Sequence, residues 1–160
     1  MSGELASKSQ DEQLVVFQLL NQTYAVEISK VQEIIRLEKI TKLPNAAEFI
    51  EGVINLRGKI VPIIDLCKRF GLYAEDYSPT QIVITEIGEH VVGMMVGQVQ
   101  EVYRVPVSSI EPPPSMINGI DASYLRGIVL REDGLIILLN PDHVLFQHER
   151  DNLDQIDLSA

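Results

Sequence analysis

The sequence predicts a mainly β fold in which two small barrels pack against each other, with short helices between some strands. Three observations predict it. Short Val- and Ile-rich segments alternate with turn residues, a strong hairpin pattern occupies residues 49–66, and the pattern begins again near residue 80. Each unit alone would have too little core to offset chain entropy, so apolar residues are also expected between the units.

The first unit, at about residues 13–72, begins with a predicted hairpin. Its strands cover Leu14–Leu20 and Tyr24–Ile28, and the residues between them favour a turn. Ser29 has the position of a helix cap, and the apolar spacing over residues 30–36 predicts a short helix.

A second hairpin, FIEGVINLRGKIVPIIDL at residues 49–66, carries a cation at its tip. Its β-branched residues favour a buried, pleated backbone, and Gly58 tolerates the positive φ of a tight turn. Arg57 is therefore held by strands on both sides. A short helix over residues 66–70 is predicted to end at Gly71.

Arg57 is the strongest candidate for a functional residue. A guanidinium on a rigid backbone can fork onto a partner's carboxylate with little entropy left to lose, which indicates recognition before catalysis. For the neighbouring cations Lys59, Lys68 and Arg69, a functional role and a simple place on a solvated edge and flanking helix explain the sequence equally well.

An internal repeat relates the two halves of the chain. A shift of 68 residues places Val16 on Ile84 and residues 30–34 on residues 98–102 without a gap. Composition alone explains the apolar matches, but it explains the recurrence of Val-Gln-Glu in register much less well. The repeat predicts an internal duplication, with the second unit at about residues 80–147.

The second unit has its own hairpin and a terminal helix. The hairpin covers residues 127–139 and has a turn pattern at Asp133 and Gly134. Asn140 is predicted to cap a helix that runs to about His148. Between the two hairpins of this unit, the proline-rich residues 111–116 are either a spacer or a pre-ordered edge for a partner.

The termini are predicted to lie outside the folded part. Residues 1–12 read as a flexible N-terminus, and residues 148–160 form an acidic tail with few apolar side chains. We expect a single domain over residues 13–147, in which a short linker restrains the two units as one body.

Composition disfavours several classes of partner and location. The 13 cations and 23 acids give a net charge of −10, which repels the phosphate backbone of nucleic acid. No apolar run approaches the roughly 20 residues that cross a bilayer, so no direct membrane insertion is expected. The N-terminus lacks the features of a signal peptide, and a single cysteine, Cys67, fits a cytoplasmic location.

Motifs for catalysis or metal binding are absent from the sequence. It has no GxSxG, no glycine-rich phosphate loop, no HExxH, and no Cys or His pair at metal spacing. His90, His143 and His148 are scattered over a strand start and a helix. We therefore expect no catalytic residue, metal or cofactor, although a small-ligand-binding barrel or a hydrolase that uses surface carboxylates remains an alternative.

Four segments resemble the CheW-like coupling proteins of bacterial chemotaxis, and the similarity runs from about Gln13 to Gln147. They are KVQEI at residues 30–34, EFIEGVINLRGKIVPIIDL at 48–66, VVGMMVGQVQEV at 91–102 and LIILLNPDHVL at 135–145. The resemblance implies two SH3-like five-stranded barrels and a non-enzymatic adaptor. It also implies a cytoplasmic protein, recruited to membrane receptor arrays, that joins chemoreceptor tips to the histidine kinase CheA and possibly self-associates.

The resemblance also implies residue roles. The implied receptor contacts are Val31, Glu33, Gly52, Asn55, Arg57 and Val102. The implied kinase contacts are Glu111, Met116, Gly93 and Val96. A coupling protein of a related pathway, such as twitching motility, would have the same pattern. The chain departs from the family at Cys67, where relatives often carry a basic or polar residue.

Overall fold

The computed structural model describes residues 10–72, 74–117 and 119–144, most of which lie in β-strands. The strands are β1 (Asp11–Leu19), β2 (Gln22–Glu27), β3 (Val31–Arg36), β4 (Ile50–Leu56), β5 (Lys59–Asp65), β6 (Gln81–Ile87), β7 (His90–Val96), β8 (Gln98–Pro106), β9 (Met116–Ile117), β10 (Ile120–Asp121), β11 (Leu125–Arg131) and β12 (Gly134–Leu139). The helices are α1 (Leu66–Phe70) and α2 (Pro141–Val144), with 3₁₀ turns at Ile28–Lys30, Val107–Ser109 and Ala122–Tyr124.

The strands form two five-stranded sheets, which confirms the mainly β class. Barrel A has the order β11-β12-β2-β1-β8, and barrel B has the order β3-β6-β7-β5-β4. In barrel B, backbone hydrogen bonds between Thr41 and Val53 return the chain after β3 to β4. The same bonds join Glu111 and Ile128 in barrel A. Each sheet therefore curls towards a closed, SH3-like barrel.

The barrels do not divide the chain at residues 72–80, so the expected subdomain boundaries of 13–72 and 80–147 are wrong. Strands β1 and β2 lie in barrel A with β8, β11 and β12, while β3, β4 and β5 lie in barrel B with β6 and β7. The turn Ile28–Lys30 carries the chain from barrel A to barrel B. The first hairpin of each repeat, β1–β2 or β6–β7, therefore lies in a barrel with the last three long strands of the other repeat, and the two units are interlocked.

Strand register supports the predicted duplication. Val16 pairs with Glu101, and Ile84 pairs with Glu33. Both offsets are the same, because 84 − 16 = 68 and 101 − 33 = 68. The ladder skips one residue in each barrel, at Gln100 and at Gln32, so the β-bulge is repeated as well.

The helix predicted over residues 30–36 is wrong, because this segment is the strand β3. It pairs with β6 from Val31 to Arg36. The bulge at Gln32 interrupts the alternation of apolar and polar side chains, which leaves apolar residues at the spacing typical of a helix. The predicted helix at 66–70 is confirmed: Asp65 caps it, and Gly71 ends it in a left-handed conformation with φ 73°.

The largest core cluster lies between the barrels, where apolar residues were expected. Its members include Val15 and Phe17 of β1, Val83 of β6, and Met94 and Val96 of β7, all with 5% or less exposure. We call this cluster the shared core. Each barrel also has an interior of its own, built on the opposite faces of the same strands.

The N-terminal boundary differs from the expectation. β1 begins at Asp11, and Glu12 is paired with Arg126, so residues 11–12 belong to barrel A rather than to a flexible terminus. Asn140 does precede α2 and accepts a hydrogen bond from the backbone of Asp142. The predicted continuation to His148 and the acidic tail lie outside the described residues.

Candidate protein-docking site

The tip of the β4–β5 hairpin is a tight turn that fixes Arg57. Arg57 and Gly58 both have positive φ, at 52° and 85°, as a type I′ turn requires. The backbone N–H of Gly58 donates to the Asn55 side-chain oxygen at 2.8 Å. Asn55 therefore stabilises the turn while its side chain is exposed. The predicted hairpin and its charged tip are both confirmed.

Arg57 is exposed and forms an ion pair with Glu33 of β3. Its Nη1 donates to Glu33 Oε1 at 3.2 Å, and its Nη2 donates to Oε2. The Arg57 side chain remains 70% exposed, so the guanidinium is not buried against its own chain. The hydrogen bond from Arg57 lowers the pKa of Glu33, and the same bond raises the pKa of Arg57. Two of the expected receptor contacts thus lie together.

Val31 and Val102 border the shared core from different barrels. Val31, at the start of β3, is half-buried and packs against that core. Val102 of β8 is 51% exposed and lies opposite Val15, a member of the core. Both have apolar surface next to the junction of the barrels.

Gly52 is buried and cannot make a direct contact, which corrects its expected role. A Cβ on Gly52 would lie 2.2 Å from the carbonyl oxygen of Thr41, and its φ is 153°. This glycine allows β4 to approach Thr41 at the closure of barrel B. Its part in any binding is to hold the hairpin that presents Arg57.

The four expected kinase contacts separate into two groups. Glu111 is exposed on barrel A, and Met116 of β9 is 59% exposed. Gly93 and Val96 are buried in β7, which lies between β6 and β5 in the sheet. A Cβ on Gly93 would lie 2.5 Å from Ile63 Cδ1. We therefore withdraw Gly93 and Val96 as contacts, because both faces of their strand are covered.

The acids near β1 do not form a catalytic arrangement. A cleft of about 280 Å³ is bordered by Asp11, Glu12 and Glu27. Arg126 makes ion pairs with both Glu12 and Glu27, so this cation holds the two carboxylates. The hydrogen bond from Arg126 lowers the pKa of Glu12. The arrangement is that of a structural ion network and does not favour the hydrolase alternative.

The described ranges contain no cluster of His, Cys, Asp and Glu suited to a metal ion. In the same part of the chain, no helix has the length and apolar character needed to cross a bilayer. Cys67 is buried, and this burial raises its pKa to about 11, so the thiol is not activated.

A second ion pair, which the sequence did not predict, occupies the matching place on barrel A. Arg131 Nη1 lies 3.1 Å from Glu101 Oε2, and Glu101 is the repeat equivalent of Glu33. The Arg131 guanidinium lies 5.0 Å from the ring centre of Tyr103, and its side chain is only 16% exposed. The available sequence signal was the recurrence of Val-Gln-Glu.

Interlocked barrels with an exposed, charged hairpin tip are typical of a protein that binds other proteins. The chain belongs to the CheW-like domain family, whose model matches residues 13–149. It is 32% identical over 155 residues to the chemotaxis protein CheW of Klebsiella aerogenes, covering 96% of this chain and 93% of that protein. It is 33% identical to the chemotaxis protein CheW of Treponema pallidum, with 89% and 86% covered.

A solved structure shows the same architecture. The crystal structure of the scaffolding protein TtCheW from Thermoanaerobacter tengcongensis matches with a TM-score of 0.79 and 40% sequence identity. The match covers 86% of this chain and 90% of that chain. The fold and the family expected from the sequence are therefore confirmed.

Proposed function

We propose that this protein is a non-enzymatic chemotaxis adaptor that couples the cytoplasmic tips of chemoreceptors to the histidine kinase CheA. Membership of the CheW-like family and the names of the relatives support this role. The observation that carries it is the exposed guanidinium of Arg57, pre-positioned on a rigid hairpin tip. The adaptor works in the cytoplasm at receptor arrays and acts by contact alone.

A receptor helix lies across the surface formed by Val31, Glu33, Asn55, Arg57 and Val102. The valines bury apolar side chains of the helix, and Arg57 binds a receptor carboxylate. Glu33 already occupies the guanidinium, so an incoming acid shares or displaces this internal partner. Because the pair is exposed, its exchange costs little, and the guanidinium stays aligned until the receptor arrives.

Kinase docking uses a different edge, on barrel A. Met116 supplies exposed apolar surface, and Glu111 lies at the barrel closure beside β11. Separate surfaces for receptor and kinase let one molecule hold both partners at once. The interlocked barrels fix the geometry between these surfaces, and self-association in arrays would use the remaining edges.

The direct test is the Arg57→Ala variant, titrated with a receptor cytoplasmic fragment and with the kinase regulatory domain. A guanidinium contact that becomes buried when the receptor binds is worth about 2 kcal/mol. Receptor affinity should therefore fall roughly thirtyfold, while kinase affinity is unchanged. Lys39→Ala, which removes an exposed cation of the connection between β3 and β4, outside the hairpin tip, is the matched control and should bind normally.

Met116→Asp supplies the reciprocal result. This variant should lose affinity for the kinase regulatory domain and keep affinity for the receptor fragment. Equal receptor binding by wild type and Arg57→Ala would contradict the proposal, as would a wild-type protein that binds neither partner.

A further inference from the structure

Val102 and Leu130 are exposed apolar side chains beside the Glu101–Arg131 ion pair of barrel A. Val102 is 51% exposed, and Leu130 is 66% exposed. The ion pair holds the end of β11 next to β8. Because neighbouring residues of a strand point to opposite faces, Val102 and Leu130 both point away from the face that carries the ion pair.

This apolar surface is continuous with the shared core. Val102 lies opposite Val15, which belongs to the shared core. Leu130 lies opposite Leu135, which packs against that core. The exposed pair is therefore the outer end of the apolar face between the barrels. Val102 already belongs to the surface that we assign to the receptor, and Leu130 extends that surface along barrel A.

The hairpin next to Leu130 has an acidic tip. Glu132 and Asp133 are exposed, and Asp133 accepts a hydrogen bond from Arg131 Nε at 2.8 Å. With Glu101, the cluster has three acids and one cation, a formal charge of 1 − 3 = −2.

The matching hairpin of barrel B has the opposite charge. The tip of this hairpin carries the cations Arg57 and Lys59, and the acid that pairs with Arg57 is Glu33, so these three side chains have a formal charge of 2 − 1 = +1. The two hairpins that the duplication relates therefore differ in the charge they present to a partner, and each favours partner side chains of a different sign.

We propose that the receptor segment docked on Arg57 also contacts barrel A, with an apolar side chain on Val102 and Leu130 and a basic side chain against Glu132 and Asp133. This inference rests on the proposed receptor-binding function and specifies the chemistry of the segment. An acidic residue faces barrel B, an apolar residue lies between the barrels, and a Lys or Arg faces the second hairpin. Opposite charges at the two ends give the segment one preferred direction.

The apolar part is tested by Leu130→Ser, titrated calorimetrically with the cytoplasmic tip fragment of a chemoreceptor from the same bacterium. Loss of an exposed leucine that becomes buried on binding should weaken receptor affinity about tenfold. Leu37→Ser, which removes an exposed apolar side chain just after β3 and outside both proposed docking surfaces, is the matched control and should stay within about twofold of wild type. Leu130→Asn is the second variant, to be used if Leu130→Ser folds poorly.

The charged part is tested by Glu132→Lys. Receptor affinity should fall at low salt, and the difference from wild type should shrink in high salt. In receptor fragments whose exposed Lys and Arg residues are changed to Glu one at a time, one change should restore binding to Glu132→Lys.

The results separate this inference from the function on which it rests. Failure of the wild type to bind the fragment, or full binding by Arg57→Ala, would overturn the proposed function. Weak binding by Arg57→Ala together with wild-type affinity in Leu130→Ser and Glu132→Lys would overturn only the second contact. Tighter binding by Glu132→Lys would also overturn it, because the receptor would then present an acid at this position.

Discussion

At the scale of single residues, Arg57 and Arg131 show how position within a turn decides what an arginine does. Arg57 lies inside its turn with φ 52° and has a side chain that is 70% exposed. Arg131 is the last residue of β11, stacks on Tyr103 and is mostly buried. Both pair with a glutamate of the repeated motif. Of the two, Arg57 has the more exposed side chain, which is why the docking proposal depends on it.

The Glu12–Arg126 pair should make stability depend on pH. The hydrogen bond from Arg126 lowers the pKa of Glu12 from 4.5, so the folded state favours the carboxylate. The stabilisation from this ion pair is fully present above the ordinary pKa of 4.5, and it is lost as pH falls through the lowered pKa of the folded state. In urea unfolding, Glu12→Gln should be about 1 kcal/mol less stable than wild type at pH 7, and the two should converge at acidic pH.

Gln13→Ala changes an exposed neighbour in the same strand without adding or removing a titratable group, and it serves as the control for that experiment. A gap between wild type and Glu12→Gln that stays constant down to pH 3 would show that the lost interaction is not the ion pair.

At the scale of elements, any side chain at Gly52, where barrel B closes, should destabilise the fold. Gly52→Ala would place a Cβ 2.2 Å from the Thr41 carbonyl oxygen, so β4 must shift. We expect a loss of about 3 kcal/mol in the free energy of unfolding, measured by urea denaturation. Gly58→Ala, where a Cβ meets nothing within 4 Å, should lose only about 1 kcal/mol through its φ of 85°. Equal losses in the two variants would rule out the close approach as the cause.

The elements that the sequence predicts well are those determined locally. The β4–β5 hairpin follows from β-branched residues around Arg57 and Gly58, and α1 follows from its Gly71 end. β3 was mistaken for a helix because a bulge breaks its alternation. The exchange of hairpins was not predictable, since the β1–β2 hairpin has the same apolar pattern whichever barrel it joins.

The candidate site divides in the same way. Arg57 and Asn55 follow from the turn, which a few adjacent residues determine. The partnership of Arg57 with Glu33 depends on barrel closure, which brings together residues 24 positions apart. The resemblance implies contacts at Gly93 and Val96, but Val96 lies in the shared core and Gly93 lies against Ile63, so both faces of β7 are covered. This burial depends on how the sheets pack, which the local sequence does not determine.

At the scale of the whole molecule, the shared core should make the two barrels unfold as one unit. Phe17 of β1 is fully buried in this core and stacks on Tyr24 at 6.2 Å between ring centres. Phe17→Ala should lower the free energy of unfolding by about 3–5 kcal/mol. Hydrogen exchange should then show β4–β5 of barrel B and β11–β12 of barrel A losing protection together, although the substitution lies in barrel A.

The interlocked chain path is the reason to expect this behaviour, because each barrel is completed by a hairpin from the other repeat. Val129→Ala, within the separate core of barrel A, is the control: it should cost about 1–2 kcal/mol and leave a single transition. If Phe17→Ala released barrel A while barrel B kept its protection, the barrels would be independent. Separate barrels could not hold the receptor and kinase surfaces in one geometry, and an adaptor that acts only by contact requires that geometry.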